Sequence, residues 1–298
     1  MFSGPLFAPE ARLVVADVGG TQIRVAVADM KARLRARSAK PTPADDPTSL
    51  QRMVGQLLSA NEGLIDGVVV GVPGVVDYRE GAVLAFPNLP GWNGKINETQ
   101  LTEDLGVPVR LANDADLAAV GEHRYGAGRG FSDMVYVTVS TGIGAGVIIE
   151  NLMLFGRYSL GEIGQSVIDW NTGEILEAVA SGTALAQAAG VDAPTMVARA
   201  RRGDKAALAH LDRAGRALGA GLLNLVRCYA PEAIVVGGGL GLAAGDLLLD
   251  PVRAVFERSA NGAPWPQLIP AALGDDAGLK GAVALWQDLQ EHEDADLF

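Results

Sequence analysis

One pattern occurs twice along the chain: a short apolar strand, a glycine-rich turn and a returning apolar strand. The first copy begins at Leu13 and turns just after Asp17, and the second begins at Met134 and turns at Thr141. β-Branched residues dominate these strands, which is typical of strands buried in a sheet. Segments with helical spacing follow each copy. The repeat therefore predicts two related domains of the α/β class.

The remaining elements follow from the same periodicities. The spacing predicts strands over 67–72, 107–112 and 233–236, and helices over 45–59, 116–125, most of 183–229, and 279–290. Because no low-complexity linker separates the two copies, we expect the two domains to pack against each other across a cleft.

The composition is that of a globular protein. The 298 residues are 49% apolar and 20% charged, which is enough apolar material for a packed core. The net charge of −11 argues against binding to a nucleic-acid backbone. The single cysteine, Cys228, ends an apolar helical stretch, so we expect a buried structural thiol. Three scattered histidines, His123, His210 and His292, form no zinc-like cluster.

The sequence contains no targeting signal that we can identify. Residues 1–10 lack the basic start and the apolar core of a signal peptide. The longest uncharged stretch worth considering, Val135–Ile149, is broken by three glycines and is too short to cross a membrane. These features predict a cytoplasmic protein without a membrane partner.

Glycines follow three of the predicted strands, within Asp17–Arg24, Thr141–Gly146 and Gly237–Gly241. A glycine beyond a strand lets backbone amides approach a phosphate that a side chain would hold away. In the first turn, Asp17 suits a water-mediated contact with Mg²⁺, and Thr21 offers a hydroxyl donor. The spacings are not those of dinucleotide or P-loop motifs, which argues against those two classes. A tight hairpin turn uses the same residues, so each turn alone leaves both interpretations open.

Polar residues accompany these turns. Asn113-Asp114-Ala115-Asp116 lies where a strand gives way to a helix, so it is either a helix cap or the place of a general base, Asp114. The loop Phe86–Trp92 carries aromatic rings and Asn88 and suits stacking or hydrogen bonding with a small polar ligand. Carboxylates and an amide occur at Glu162, Gln165 and Glu177, and such groups satisfy the hydroxyls of a polyhydroxy ligand. For each of these groups, the alternative to binding a ligand is a solvated position on a loop.

Taken together and in order, these stretches resemble the ROK family of sugar kinases, within the actin and hexokinase superfamily. The matching stretches are LVVADVGGTQIRVAVAD, VVGVPGVVD, FPNLPGW, NDADLAAVGEHRYGAGRG, VTVSTGIGAGVII, GEIG, EAVASG and IVVGGGLG, and the final GLKGAVAL helix also fits. The resemblance implies a two-domain, actin/hexokinase-like (ribonuclease H-like) α/β fold with a cleft between the domains. We expect a smaller domain of residues 1–116 plus 279–298 and a larger domain of residues 117–278.

The resemblance also implies a reaction and a role for each matched residue. ATP with Mg²⁺ would phosphorylate a hexose hydroxyl, in the first place the 6-OH of glucose, after Asp114 deprotonates it. Asp17 would hold Mg²⁺ through water. The residues implied at the phosphates are Gly19, Gly20, Thr21, Thr141 and Gly142; at the adenosine, Gly238 and Gly239; and at the sugar, Asn88, Asn113, Asp114, Glu162, Gln165 and Glu177. Members of the family often form homodimers, which we expect here.

Two departures from the family pattern concern zinc. The GEIG stretch is normally followed by a histidine that contacts the sugar and often binds zinc, and here Gln165 stands in its place. The cysteine cluster that supplies the other zinc ligands is absent from the 11 residues between Gln165 and Glu177. We therefore predict no structural zinc. Gln165 can donate and accept at one sugar hydroxyl, but its geometry and charge differ from those of imidazole.

Other functions remain open at this point. The sugar could be N-acetylmannosamine, N-acetylglucosamine, mannose or fructose, and polyphosphate could replace ATP as donor. A catalytically weak sugar-binding protein is compatible with Gln165. A sugar-responsive transcriptional regulator of the same family is disfavoured, because only 12 residues precede Leu13 and a DNA-binding domain would need more.

Overall fold

The computed structural model describes residues 10, 12–259, 262 and 264–291. Backbone contacts divide the chain into two compact units. Unit 1 comprises the described residues up to Tyr125, the segment Leu154–Ser159 and those from Asp275 onward, and unit 2 comprises Gly126–Met153 and Leu160–Gly274. The first nine residues, on which the signal-peptide argument depends, and His292 lie outside the described residues.

The described chain contains both strands and helices. The strands are β1 (Leu13–Val18), β2 (Gln22–Ala28), β3 (Leu34–Pro41), β4 (Gly67–Val72), β5 (Val75–Asp77), β6 (Ala82–Ala85), β7 (Val109–Asn113), β8 (Met134–Val139), β9 (Ile143–Ile149), β10 (Leu152–Leu154), β11 (Val167–Asp169), β12 (Glu174–Ile175), β13 (Ala233–Gly237) and β14 (Gln267–Pro270). The α-helices are α1 (Thr48–Ala60), α2 (Glu98–Leu105), α3 (Asp114–Tyr125), α4 (Glu177–Ala180), α5 (Gly182–Ala189), α6 (Ala193–Arg201), α7 (Lys205–Tyr229), α8 (Gly239–Ala244), α9 (Asp246–Arg258) and α10 (Ala277–Glu291).

Unit 1 contains a mixed five-stranded sheet in the order β3-β2-β1-β4-β7. β1 pairs antiparallel with β2, which places Asp17 opposite Arg24, and parallel with β4, which places Asp17 opposite Gly71. β4 pairs parallel with β7, so that Val72 lies opposite Asn113. The carboxyl ends of β1, β4 and β7 therefore meet at one edge of the sheet, the usual position of a ligand site in such folds.

A second sheet has the order β10-β9-β8-β13-β14 and repeats this arrangement. β8 pairs antiparallel with β9 and parallel with β13, as β1 does with β2 and β4. The duplicated pattern of the sequence thus corresponds to two sheets with the same central pairing. The predicted α/β fold class is confirmed, and the predicted strands and helices are present with shifted ends.

The helices α3 and α10 pack against each other in unit 1. Their backbones approach closely because both carry glycine: a Cβ atom at Gly281 would lie 1.7 Å from the Leu117 carbonyl oxygen, and one at Gly121 would lie 2.2 Å from the Ala277 oxygen. On the sheet, Gly67 leaves the space that the Trp286 ring of α10 occupies. Because α3 packs on α10, all of α3 belongs to unit 1, which runs to Tyr125. The boundary expected from the sequence lies after residue 116.

We expect Gly281→Ala to destabilise the fold by about 1–3 kcal/mol, because the added methyl group forces α3 and α10 apart. Gly55→Ala is the matched control: Gly55 also lies inside a helix, and a Cβ atom there would meet nothing within 4 Å. Alanine at that position is expected to stabilise the protein by about 0.5–1 kcal/mol. Denaturant unfolding of both variants measures the difference, and equal effects would contradict the packing argument.

The expectation of a buried cysteine is wrong. Cys228 is exposed rather than buried. The buried stripe of α7 ends at Val226, and Arg227 and Cys228 in the last turn face solvent. An apolar stretch predicts the packed face of a helix, but it does not show where along the helix the packing partner ends.

Candidate active site

Asp17 lies at the carboxyl end of β1, half-buried. Its Oδ2 is 3.5 Å from Nη1 of Arg24, which also reaches the main-chain oxygen of Asp275. Burial raises the pKa of the Asp17 carboxyl, while the Arg24 charge lowers it and the Asp275 charge raises it. The net effect is a raised pKa, which means that the surroundings disfavour the charged form of Asp17. A cation beside the carboxylate would stabilise that form.

The glycine turn after β1 is fixed by its own backbone. The Gly19 N–H donates to the Gln22 oxygen at 2.8 Å, and Thr42 donates its hydroxyl to the Gly19 oxygen at 2.6 Å. Gly20 and Thr21 are exposed. A Cβ atom at Gly20 would lie 3.4 Å from the Asn88 Cβ, so the structure brings the predicted phosphate turn and the predicted sugar residue Asn88 together within unit 1.

The aromatic rings in the loop around Asn88 are structural. Phe86 and Trp92 are buried, with ring centroids 5.8 Å apart, and the Trp92 indole donates to the Pro43 oxygen at 2.9 Å. These two rings are therefore not placed to stack on a ligand, and of the two predicted uses of this loop only hydrogen bonding remains. Asn88 itself is exposed and remains suited to hydrogen bonding.

Asn113 and Asp114 form the junction between β7 and α3. Oδ1 of Asn113 accepts the amides of Ala115 at 2.8 Å and Asp116 at 3.3 Å, and Nδ2 donates to the Gly74 oxygen at 3.0 Å. Asn113 is thus a helix cap, and these bonds use one of the two N–H groups of its side-chain amide. Asp114 is half-buried at the first residue of α3, where it also accepts the Ala115 amide at 2.9 Å.

Asp17 and Asp114 belong to the same edge of the sheet. β4 lies between β1 and β7, so the ends of these two strands are separated by about 10 Å, twice the usual strand spacing. The helix-cap interpretation of the Asn113–Asp116 stretch holds, and the same cap presents Asp114 at the sheet edge.

Three predicted sugar residues lie together in unit 2. Oε2 of Glu177 accepts the Ile143 amide at 2.7 Å, and a Cβ atom at Gly142 would lie 2.6 Å from that oxygen. Glu162 and Gln165 belong to one tight turn, in which the Gln165 amide donates to the Glu162 oxygen at 3.1 Å. Glu162 and Gln165 are exposed. Partial burial of the Glu162 carboxylate, and secondarily the charge of Glu177, raise the pKa of Glu162.

A short hairpin connects this turn to Glu177. β11 and β12 pair antiparallel, and at the base of the hairpin the Leu176 amide donates to the Ser166 oxygen at 2.9 Å. The backbone ladder thus holds the residue after Gln165 next to the residue before Glu177. Within the described ranges, no group of three or more His, Cys, Asp and Glu side chains is arranged to hold a metal ion.

Unit 2 also contains a cavity of about 380 Å³. It is lined by Ser140, Thr141, Gly182, Thr183, Ala186, Ala193, Pro194, Val197, Gly239, Leu240 and Ala243. The predicted residues Thr141 and Gly239 meet in its wall, and Gly142 and Gly238 are their chain neighbours. Gly238 has φ +80°, and a Cβ atom there would lie 2.4 Å from the Val139 oxygen, so the turn requires glycine.

The walls contributed by α5 and α6 were not recognised in the sequence. The Thr141 turn is bound to the start of α5, because the Gly182 amide donates to the Ser140 oxygen at 2.7 Å and the Thr183 hydroxyl donates to the Thr141 oxygen at 2.9 Å. The small residues Ala186 and Ala193 leave room for a ligand, but alanine in a helix is too common to indicate a cavity by itself.

The chain matches the model of the ROK family over residues 13–289. It belongs to the ROK family. This ROK protein is 30% identical over 308 residues to the glucokinase of Streptomyces coelicolor, with 90% of this chain and 95% of that relative covered. It is 32% identical over 292 residues to the N-acetylmannosamine kinase of Shigella flexneri, with 92% and 98% covered.

Among solved structures, the ROK fold of this chain is similar to the crystal structure of a ROK family glucokinase from Streptomyces griseus in complex with glucose and AMPPNP. The TM-score is 0.77 at 31% identity, with 92% of this chain and 98% of that chain covered. The predicted family and the actin/hexokinase-like fold are confirmed, and the protein is a sugar kinase, an ATP-dependent phosphotransferase. Among the described residues, no helix combines the length and the apolar character needed to cross a membrane.

Proposed function

We propose that this sugar kinase phosphorylates the 6-hydroxyl of glucose, with Asp114 as the general base. The observation that carries the proposal is the half-buried Asp114 carboxylate at the sheet edge, presented by the Asn113 cap at the first residue of α3. A base at that position needs only to accept the hydroxyl proton, because phosphoryl transfer depends mainly on positioning and charge stabilisation. The glucokinase relative supports glucose as the substrate.

We place the adenosine of ATP in the cavity of unit 2. Its volume of about 380 Å³ and its small, largely apolar lining residues suit a purine ring. Its wall includes Gly239, which is proposed to contact the adenosine, and Thr141, which is proposed to contact the phosphates. Gly19, Gly20 and Thr21, together with Gly142 and Gly238, are the further backbone positions proposed for the nucleotide. Mg²⁺, when bound near Asp17, supplies charge neutralisation to the phosphates.

For the sugar, we propose hydrogen bonds from Asn88 and from the other side-chain N–H of Asn113 in unit 1. Glu162, Gln165 and Glu177 are the proposed sugar ligands in unit 2. Burial and the neighbouring Glu177 charge raise the pKa of Glu162, and hydrogen bonds donated by sugar hydroxyls would stabilise its charged form. Glu177 already accepts the Ile143 amide with one oxygen and has its other oxygen to offer.

A second candidate substrate is N-acetylmannosamine. The observation that favours it is the 32% identity to the Shigella flexneri kinase, which exceeds the 30% identity to the glucokinase of Streptomyces coelicolor. The two sugars differ at carbon 2, in the substituent and in its configuration, and the residues that contact this carbon's substituent decide between them.

A coupled ADP-release assay with Mg²⁺-ATP and glucose, mannose, fructose, N-acetylglucosamine or N-acetylmannosamine tests the proposal. We expect the highest kcat/KM with glucose. Preference for N-acetylmannosamine would replace the first substrate by the second. Sugar binding by calorimetry without turnover of any sugar would contradict the kinase assignment of the site. Gel filtration with light scattering tests the predicted homodimer.

We further propose that the active protein contains no structural zinc. The hairpin β11–β12 joins the Gln165 turn to Glu177 by backbone hydrogen bonds, and the sequence supplies no cysteine there. Elemental analysis of the purified protein is expected to find less than stoichiometric zinc, and a chelator is expected to leave Mg²⁺-dependent turnover intact once Mg²⁺ is restored. One zinc ion per chain, lost together with activity, would contradict this prediction.

A further inference from the structure

A buried hydroxyl group contacts the junction that presents Asp114. Oη of Tyr78, which follows β5, accepts the backbone N–H of Asn113 at 3.1 Å and donates to Oδ2 of Asp116 at 2.6 Å. Tyr78 is 6% exposed and Asp116 is fully buried. Among the described strands β7 is the last in its sheet, so none of them accepts the Asn113 N–H on that side, and the Tyr78 hydroxyl takes this place.

The direction of these hydrogen bonds is determined by the surroundings. Burial, and then the neighbouring Asp116 carboxylate, raise the pKa of the Tyr78 phenol well above its usual value, so the hydroxyl keeps its proton. The other carboxylate oxygen of Asp116 accepts the hydroxyl of Ser159 at 3.1 Å. Because the phenol proton points to Asp116, the Tyr78 oxygen offers its lone pairs to the Asn113 amide.

Tyr78 is itself held by the segment Leu154–Ser159 of unit 1. The Tyr78 amide donates to the Arg157 oxygen at 3.0 Å, and the Tyr78 ring packs on Phe155 with centroids 5.0 Å apart. The preceding residue, Asp77, is fully buried and pairs with Arg157 at 2.8 Å. Tyr78 is therefore held through its backbone, its ring and its hydroxyl.

We propose that Tyr78 is a positioning residue for the phosphoryl transfer: it holds the backbone of Asn113 and thereby the direction of the Asp114 carboxylate. This inference rests on the proposed role of Asp114. Loss of the hydroxyl leaves the buried Asn113 amide without its acceptor and frees the junction to shift. A displacement of about 1 Å at a reacting group lowers rates by about 10²-fold, so a small shift has a large effect on turnover.

Tyr78→Phe tests the proposal, with Tyr125→Phe as the matched control. Tyr125 ends the same helix α3, and its hydroxyl contacts Gln287 at 3.2 Å, far along the helix from Asp114. We expect Tyr78→Phe to lower kcat by about 10-fold or more while the sugar Kd and the ATP KM change less than about threefold. Rates are divided by the fraction of protein that binds sugar in calorimetry. Tyr125→Phe is expected to keep the wild-type kcat.

A double variant separates positioning from stability. Tyr78→Phe leaves the buried Asp116 carboxylate with one donor fewer, and adding Asp116→Asn removes that buried charge. We expect the double variant to recover much of the lost Tm but none of the lost kcat, because the Asn113 amide still lacks its acceptor. If the single variant does not fold, the double variant alone carries the comparison of kcat with wild type.

The outcomes distinguish the two proposals. A wild-type kcat in Tyr78→Phe, or recovery of kcat together with Tm in the double variant, overturns the positioning role. If Tyr78 proves to have no positioning role but Asp114→Asn is inactive in the same assays, the proposal that Asp114 is the general base still stands. If Asp114→Asn keeps full activity, the proposed base is itself wrong.

Discussion

Asp114→Asn is expected to lower kcat for sugar phosphorylation by about 10²–10⁴-fold, the usual contribution of a general base. Asparagine retains the size of the side chain and an oxygen that can accept the Ala115 amide, so the start of α3 is preserved. It cannot take the proton of the attacking hydroxyl at neutral pH. The sugar Kd is expected to change little, since an amide still hydrogen-bonds a hydroxyl. Steady-state kinetics and calorimetry on the same preparation measure the two quantities.

Asp204→Asn is the matched control for this substitution. Asp204 caps α7 by accepting the amides of Ala206 and Ala207, and it is exposed in unit 2. Asparagine is as good a helix cap as aspartate, so this variant is expected to keep both stability and turnover. If Asp114→Asn also kept its turnover, Asp114 would be a helix-start residue and another group would have to act as base.

Ala186→Trp is expected to weaken ATP binding by about 10- to 100-fold, equivalent to about 1.4–2.8 kcal/mol. Ala186 lines the cavity of unit 2 together with Gly239 and Thr141. An indole ring is comparable in size to a purine, so it competes for the volume in which we place adenosine. The ATP KM is expected to rise, while sugar binding measured by calorimetry without nucleotide stays at the wild-type value.

Ala188→Trp provides the comparison on the same helix. Ala188 lies on the exposed side of α5 and is not among the residues that line the cavity, so its indole extends into solvent. Its ATP KM is expected to match that of the wild type. A normal ATP KM in Ala186→Trp would place the nucleotide outside this cavity. Equal weakening in both variants would indicate a general effect of tryptophan on α5.

The sequence determined those features that depend on neighbouring residues in the chain. The β-branched run Leu13–Val18 predicts a buried strand wherever it occurs, and the glycines that follow permit a tight turn. Asn113 caps α3 because its side chain reaches amides only two and three residues ahead. Such short-range chemistry identified Asp17 and Asp114 as candidates and gave the order of motifs that indicates the family.

Only the tertiary structure decided which distant residues meet. Tyr78, Asp116 and Ser159 are joined by hydrogen bonds across 38 and 43 positions of the chain. The cavity wall from α5 and α6 and the exposure of Cys228 likewise depend on how helices pack rather than on any local pattern. Hydrogen bonding and close packing act through space, so a residue whose partner lies far along the chain carries no local mark of its role.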